Sequence, residues 1–383
     1  MPKTEVPITP AVLEWAILES GLSVTEVAKE AGVELADLNG WLTNTAKPGV
    51  TEVRSLAQVL LRPVAAFLLP TPPASHLPDV RFRHTPGVSG RSLTPKERRY
   101  LRKAVRLQRM LEWVVQELRE PRPSVPSASL GDDADSAAQA LRAILGVTIE
   151  TQLQWPSASV AFDGWRDAVE ALGVTVFLFQ LGADNCRGFS LWNKAVPVIA
   201  VNTAWNDEAR VFTLFHELGH LLVRTDSACA TADPAGMSGT WDPAERWCEH
   251  FASSVLLPEA MLRRAIAERL SPGTTRIHDV GLVRRLATHF HTSLRATTIR
   301  LIELGFASWD LYRELPASGD AKSRGGRANG GRDRQEIQED SLGGHATRLF
   351  HRAVKADVVT RSQALTYLDV PDSALDQPAT RGV

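Results

Sequence analysis

Apolar positions in the first seventy residues recur in short helical runs, each closed by a turn signal. Thr9-Pro10 opens the series Val12, Leu13, Trp15, Ala16 and Ile17, which Gly21 closes. Ser23 and Glu26 have the spacing of a capping box into VAKEA, Gly32 ends that helix, and ELADLNGWLTN follows. TEVRSLAQVLL adds a fourth helix. Thr94 and Pro95 then start a long helix that keeps Leu101, Val105 and Leu111 as apolar partners. PRPSVPSAS reads as a linker at the main domain boundary. Beyond it two helices precede three apolar runs with strand character, at 174–179, 188–192 and 197–202. Long helices continue to about residue 310.

These elements predict a chain that is mainly α with a small β-sheet, an α+β class. The expected order is a helix-turn-helix-like domain over 1–75, a basic segment and connecting helix over 76–120, and a linker at 121–130. An α+β domain over 131–315 follows, then a glycine-rich disordered linker at 316–340 and a small helical segment over 341–383.

Composition bounds the function. With 383 residues, 44% hydrophobic and 23% charged, the chain has apolar material for two or three cores. Cys186, Cys229 and Cys248 are odd in number and widely spaced, which argues for a reducing compartment and against a disulfide framework. The start has no charged region leading into an apolar run, and no stretch reaches the roughly 18 apolar residues of a membrane span. The expectation is a cytoplasmic protein with no membrane partner; the oligomeric state is open.

Charge is unevenly placed within a formal net of -1. The first four helices resemble small repressor-type DNA-binding domains. Yet Thr9 to Val50 holds six acids and two bases, and Glu34 to Asn44 has no Lys or Arg. DNA affinity rests on phosphate neutralisation, so that domain would have to recover the term elsewhere. Val80 to Arg109 carries ten bases and one acid. Helical spacing brings Arg98, Arg102, Arg106 and Arg109 near one face, a surface for a polyanion such as DNA or for an acidic protein, the chain's own N-terminal domain included.

The segment ARVFTLFHELGHLLV holds the chemistry. On a helix His216 and His220 lie four apart on one face and can offer two imidazoles to one metal ion, with Glu217 beside them as a base. Catalytic zinc takes three protein ligands and keeps an open position, so a third ligand is needed. WDPAERWCEHFASSVLLPEAML offers Glu245 and Glu249 one turn apart, with Cys248 and His250 on other faces. Glu245 also has the spacing to close a capping box on Asp242. His250, His289, His291 and Tyr312 are the donors available for an oxyanion.

RGFSLWNKAVPVIAVN, FTLFHELGHLL, ERWCEHFASSVLLP and SLRATTIRLIELGFAS, in this order and spacing, resemble the ImmA/IrrE metallopeptidases. TEVRSLAQVLLRPVAAFLLPTPP, PDVRFR and the basic helix resemble the subgroup in which the peptidase follows an XRE-type helix-turn-helix. The resemblance spans Thr9 to Ser308. It implies a zincin-like domain with Zn2+ on His216, His220 and Glu245, and Glu217 as catalytic base. Glu249 departs from the asparagine usual after the cysteine, and could accept a hydrogen bond from a ligand histidine or compete for the metal.

The resemblance also implies the substrate: a helix-turn-helix repressor cut once, with control of transcription or of a stress, phage or toxin–antitoxin response. A second reading is an antitoxin-like regulator that binds a partner toxin or operator DNA, with proteolysis secondary or absent. General degradation is disfavoured, because a small zincin without an ATPase cannot unfold its substrates.

Overall fold

The computed structural model describes residues 5–60, 62–73, 81–83, 93–224, 227–229, 242–269, 276–316 and 340–368. The chain falls into two compact units, one of Met1–Pro78 with Arg91–Lys103, the other of Asp79–Gly90 with Ala104–Val383. Among the described residues no helix is long and apolar enough to cross a membrane.

Helices α1 (Pro10–Ser20), α2 (Val24–Ala31), α3 (Leu35–Leu42) and α4 (Val50–Leu60) form the first unit with a 3-10 turn at Val64–Leu68. The capping box forms as its spacing predicts: Ser23 accepts from the Glu26 amide, and Glu26 accepts in return from the Ser23 amide at 2.7 Å. Gly21 and Gly32 end α1 and α2 with φ of 73° and 67°, left-handed values that glycine adopts freely. Leu13, Val27, Leu38, Trp41, Leu56 and Phe67 form its core.

Helix α5 (Pro95–Glu117) begins in the first unit and ends in the second. In the second unit a five-stranded mixed sheet has the order β1-β5-β3-β4-β2. Strands β2 (Thr175–Phe179), β3 (Gly188–Leu191) and β4 (Val198–Asn202) match the three apolar runs and are buried throughout. Strands β1 (Arg81–Arg83) and β5 (Ser227–Cys229) extend the sheet, with three residues each, too short to register as apolar runs. β3 runs antiparallel to β4 and β5, whereas β2 is parallel to β4 and β1 to β5.

Around the sheet lie α6 (Ala134–Leu145), α7 (Ile149–Gln154), α8 (Ala158–Ala171), α9 (Asp207–Leu222), α10 (Pro243–Leu256) and α11 (Glu259–Ala267). Next come α12 (Val280–Phe290), α13 (Leu294–Glu303) and α14 (Trp309–Arg313). One apolar cluster joins α6, α8, the sheet and α9 to α13.

Two expected boundaries move. The proline-rich segment at 121–130 is packed: Val125 is buried, the Ser124 amide donates to Leu172 O at 2.8 Å and the Ala128 amide to Leu222 O at 3.0 Å. Prolines lack N–H groups, and the few amides that remain satisfy carbonyls at the ends of α8 and α9. The division between units lies instead inside α5, after Lys103.

The C-terminal helices α15 (Gly344–Lys355) and α16 (Arg361–Leu368) belong to the second unit, with α15 against α8 and β2. The contact is ionic and buried. Arg166 and Glu170 of α8, both nearly inaccessible, lie 3.6 Å apart; Arg166 also reaches Asp340 at 3.4 Å and Val176 O at 2.6 Å, and Glu170 accepts from the His345 amide at 2.9 Å. Gly343, with φ 82°, leaves room for Glu170: a Cβ there would lie 2.2 Å from its carboxylate. The expected glycine-rich linker at 316–340 lies almost wholly outside the described residues.

Removing one partner of a buried ion pair strands the other charge. Arg166→Met should therefore cost about 3–5 kcal/mol in urea unfolding, and Arg166→Met with Glu170→Leu distinctly less.

Candidate metal centre

Helix α9 starts at Asn206, whose side chain accepts from the Ala209 amide at 3.0 Å, with Asp207 and Glu208 favourably placed in the first turn. From Ala209 on the helix is buried on nearly all sides, with Phe215, Leu218, Leu221 and Leu222 in the core. His216 and His220 emerge one turn apart on one face, as spacing predicts, and both are buried. Their Nε2 atoms lie 3.2 Å apart.

Helix α10 brings the carboxylate. Asp242 caps it by accepting from the Ala244 amide at 2.8 Å, and Pro243 takes the first helical position. Glu245 spans the two imidazoles, with Oε2 3.2 Å from His216 Nε2 and Oε1 3.3 Å from His220 Nε2. Its carboxylate meets the histidine pair, and the helix start is capped by Asp242.

The three donors fit a metal. Their ligand atoms lie within 4.8 Å of one another, and His216, His220 and Glu245 are the group of this kind found among the described residues. Separations of 3.2, 3.2 and 3.3 Å match the edge of a tetrahedron with metal–ligand bonds of 2.0–2.1 Å, about 3.3 Å. A hydrogen-bonded core pair would not need both imidazole nitrogens aimed at one point.

The electrostatics agree. Burial pushes the Glu245 carboxyl up, but hydrogen bonds from His216 and His220 outweigh it and hold the group well below the usual carboxylate range. Burial likewise opposes charge on His216, yet Glu245 first, then the charges of Glu217 and Glu249, raise it to about 9. The cluster therefore binds positive charge, whether proton or metal.

Glu217, fully buried, sits between the two histidines in sequence and faces β3. Gly188 is what admits it: a Cβ there would lie 3.3 Å from Glu217 Cγ, 2.6 Å from Thr213 Cγ2 and 2.8 Å from Ala200 O. Gly219 does the same between helices, where a Cβ would meet Cys248 Sγ at 3.1 Å and its Cα at 3.3 Å. Gly219, inside HELGH, signals close approach by another backbone in the sequence itself, whereas Gly188 is not marked there. For Gly188 the available signal was a small residue opening an apolar strand run.

The remaining candidates separate. Glu249 is not in the three-residue cluster; burial first, then the nearby charges of Glu245 and Glu303, raise it to about 7, against His216 and Arg187. Cys248 is buried behind Gly219, and burial keeps its thiol protonated. His250 Nε2 lies 2.9 Å from Asp135 and its Nδ1 3.6 Å from Glu303, which raise its pKa to about 9. Arg300, wholly buried, braces that group through Asp135, Glu303 at 3.4 Å and Leu257 O at 3.3 Å. Tyr312 OH accepts from Arg295 at 2.9 Å, His289 sets its ring edge-on to Phe290, and His291 terminates α12 with φ 55°.

The expected basic face also divides. Arg102 is buried and donates to Glu19 O at the end of α1; burial and the charge of Arg62 push its guanidinium down to about 10. Arg98 lies over Gly21 and donates to Leu93 O at 3.3 Å. Both cations serve the C-terminal end of α1, where a helix dipole favours them. Arg106 and Arg109 stay exposed.

Residues 169–301 match the model of the IrrE N-terminal-like domain, a peptidase family M78 domain. Residues 1–168 and 302–383 lie outside the match. No curated protein matches the chain.

Because protons compete with metal for His216, apparent metal affinity should rise with pH up to about 9 and level off above it. Competition titration against a chromophoric chelator at several pH values checks this; affinity independent of pH would contradict it.

Proposed function

From the match of residues 169–301 to the IrrE N-terminal-like domain of peptidase family M78, we propose that this chain is a zinc-dependent endopeptidase of the gluzincin kind. Its substrate in this reading is a specific regulatory protein, a helix-turn-helix repressor. The observation that carries the reading is the convergence of His216, His220 and Glu245 at tetrahedral spacing, with Glu217 buried beside them.

His216, His220 and Glu245 are the residues that would hold zinc, an assignment the donor set supports: two neutral imidazoles and one carboxylate suit this ion and leave a fourth position open. When bound, zinc supplies a Lewis acid that acidifies water and polarises a peptide carbonyl. Glu217 is placed to hold a proton. It takes one from the attacking water and gives it to the leaving amine, and its burial keeps bulk water from competing for that proton. Buried His216 and His220 are fixed by the packing of α9. The cost of orienting them is met on folding.

The substrate class rests on the resemblance of the motifs and on the first unit, a small helical domain of repressor-like layout joined to the peptidase in one chain. Selectivity in this reading comes from docking a folded regulator, with control of its transcription as the outcome. The buried metal-type cluster favours this over the antitoxin reading, which has no need of it.

One zinc per chain should be found by elemental analysis. His216→Ala and His220→Ala should each lose it. Glu217→Gln should keep zinc and lower cleavage of a repressor substrate by at least about a hundredfold, the scale of a general base. Glu245→Gln should weaken zinc binding far more than Glu249→Gln. Wild-type cleavage by Glu217→Gln would overturn the mechanism; the reverse order of the glutamates would move the third ligand to Glu249.

A further inference from the structure

Helix α10 carries the third metal donor, and its C-terminal half is held by polar side chains from three other helices. Carbonyls at a helix end lack partners within the helix, and here they are taken up from outside. Arg142 of α6 donates to Val255 O at 2.7 Å, Gln152 of α7 to Leu256 O at 3.0 Å and Arg300 of α13 to Leu257 O at 3.3 Å. Just before them His250 lies between two carboxylates, its Nε2 2.9 Å from Asp135 of α6 and its Nδ1 3.6 Å from Glu303 of α13. Arg300, wholly buried, pairs with the same two carboxylates. Neither metal binding nor proton transfer at Glu217 uses any of these groups.

We propose that the Asp135–His250–Glu303–Arg300 group fixes the rotation of α10 about its own axis and so places the Glu245 carboxylate against His216 and His220. His250 is then a positioning residue, and the inference rests on the metal assignment made above. At 3.6 residues per turn Cys248 lies about 60° from Glu245 around the helix, and His250 about 140° away in the other direction. His250 is therefore nearly opposite Cys248. The contact of Cys248 with Gly219 fixes how near α9 and α10 come, but one close contact is a pivot. A helix with its side chains has a radius of about 5–6 Å, so a roll of about 10° carries a carboxylate by about 1 Å. Functional constellations have to be held within about 0.5 Å. A second hold, on the far side of α10, removes that roll.

Packing alone does not call for this group. Helix α10 lies on α9 and on α6, and apolar residues of similar volume would join α10 to α6 and α13 without the desolvation cost of a buried guanidinium. What the ionic group adds is one register of α10 against its neighbours, because hydrogen bonds have direction and apolar contacts slide. Asp135 ties α6 to both His250 and Arg300, and Glu303 ties the same two residues from α13. Helix α10 is thus held from two helices that do not supply metal donors.

The test is the zinc affinity of the full chain, measured by competition with a chromophoric chelator, together with urea unfolding. Asp135→Asn and His250→Ala change partly exposed side chains, 41% and 34% accessible, so both variants should fold. Each should weaken zinc binding by about tenfold, the low end for groups that orient a ligand from outside. The double variant should lose little more than the weaker single, since both changes release the same clamp. Cobalt-loaded variants should show an altered visible spectrum, the sign of a distorted ligand set, which lower stability by itself does not produce. Arg166→Met, which destabilises the chain at the C-terminal contact, should keep wild-type zinc affinity. Wild-type zinc affinity and cobalt spectrum in Asp135→Asn and His250→Ala would overturn the proposal and leave the peptidase reading standing. An equal loss of affinity in Arg166→Met would overturn it too, by tracing the effect to general stability. A wild-type chain without zinc affinity would refute the metal assignment itself, and the proposal with it.

Discussion

Gly219 lies so close to Cys248 that an added methyl would meet three of its atoms between 3.1 and 3.3 Å away. This contact sets the distance between α9 and α10, and the distance sets the chemistry. Histidines on one helix can only aim at a common point; the third donor has to come from a second element at a fixed height and rotation. With a larger residue at 219 the helices would separate by several tenths of an ångström. A tetrahedral edge of about 3.3 Å leaves little room for such a shift. The Cys248 thiol is packed against Gly219 and lies outside the cluster of His216, His220 and Glu245.

Around that contact, charge is arranged so that a cation is wanted. Glu217, Glu245 and Glu249 all bear on His216, and Arg187 offsets part of the charge at Glu249. Arg300 is held by Asp135 and Glu303, and Arg187 is stacked on Trp205 at 4.3 Å. Burying several carboxylates near one another is costly without a counter-charge. Burial first, then the charges of Glu245 and Glu303, lifts Glu249 to about 7.

Much of the site was legible because its signals are local. HELGH on a helix fixes His216, Glu217 and His220 by periodicity alone, and capping rules located the start of α10. Choosing between Glu245 and Glu249 was different. Both lie on one helix a turn apart, and the choice depends on how α10 is rotated against α9, a long-range property of Gly219 and Cys248. The strand runs of β2, β3 and β4 were visible as continuous apolar stretches, since these strands are buried on both faces. β1 and β5 were not, with three residues each. The segment at 121–130 has linker composition but is pinned by two amides and one valine, contacts that composition does not encode. Likewise Arg102 has the right spacing for a surface stripe, and only the approach of the end of α1 removes it from that surface.

The central claim is that one metal ion is held by two imidazoles and a carboxylate on α9 and α10. X-ray absorption at the zinc edge of the zinc-loaded full chain tests it most directly. The account predicts a first shell of nitrogen and oxygen only, at about 2.0–2.1 Å, with outer-shell scattering from two imidazoles. A sulfur scatterer near 2.3 Å, or a shell without imidazole, would contradict it.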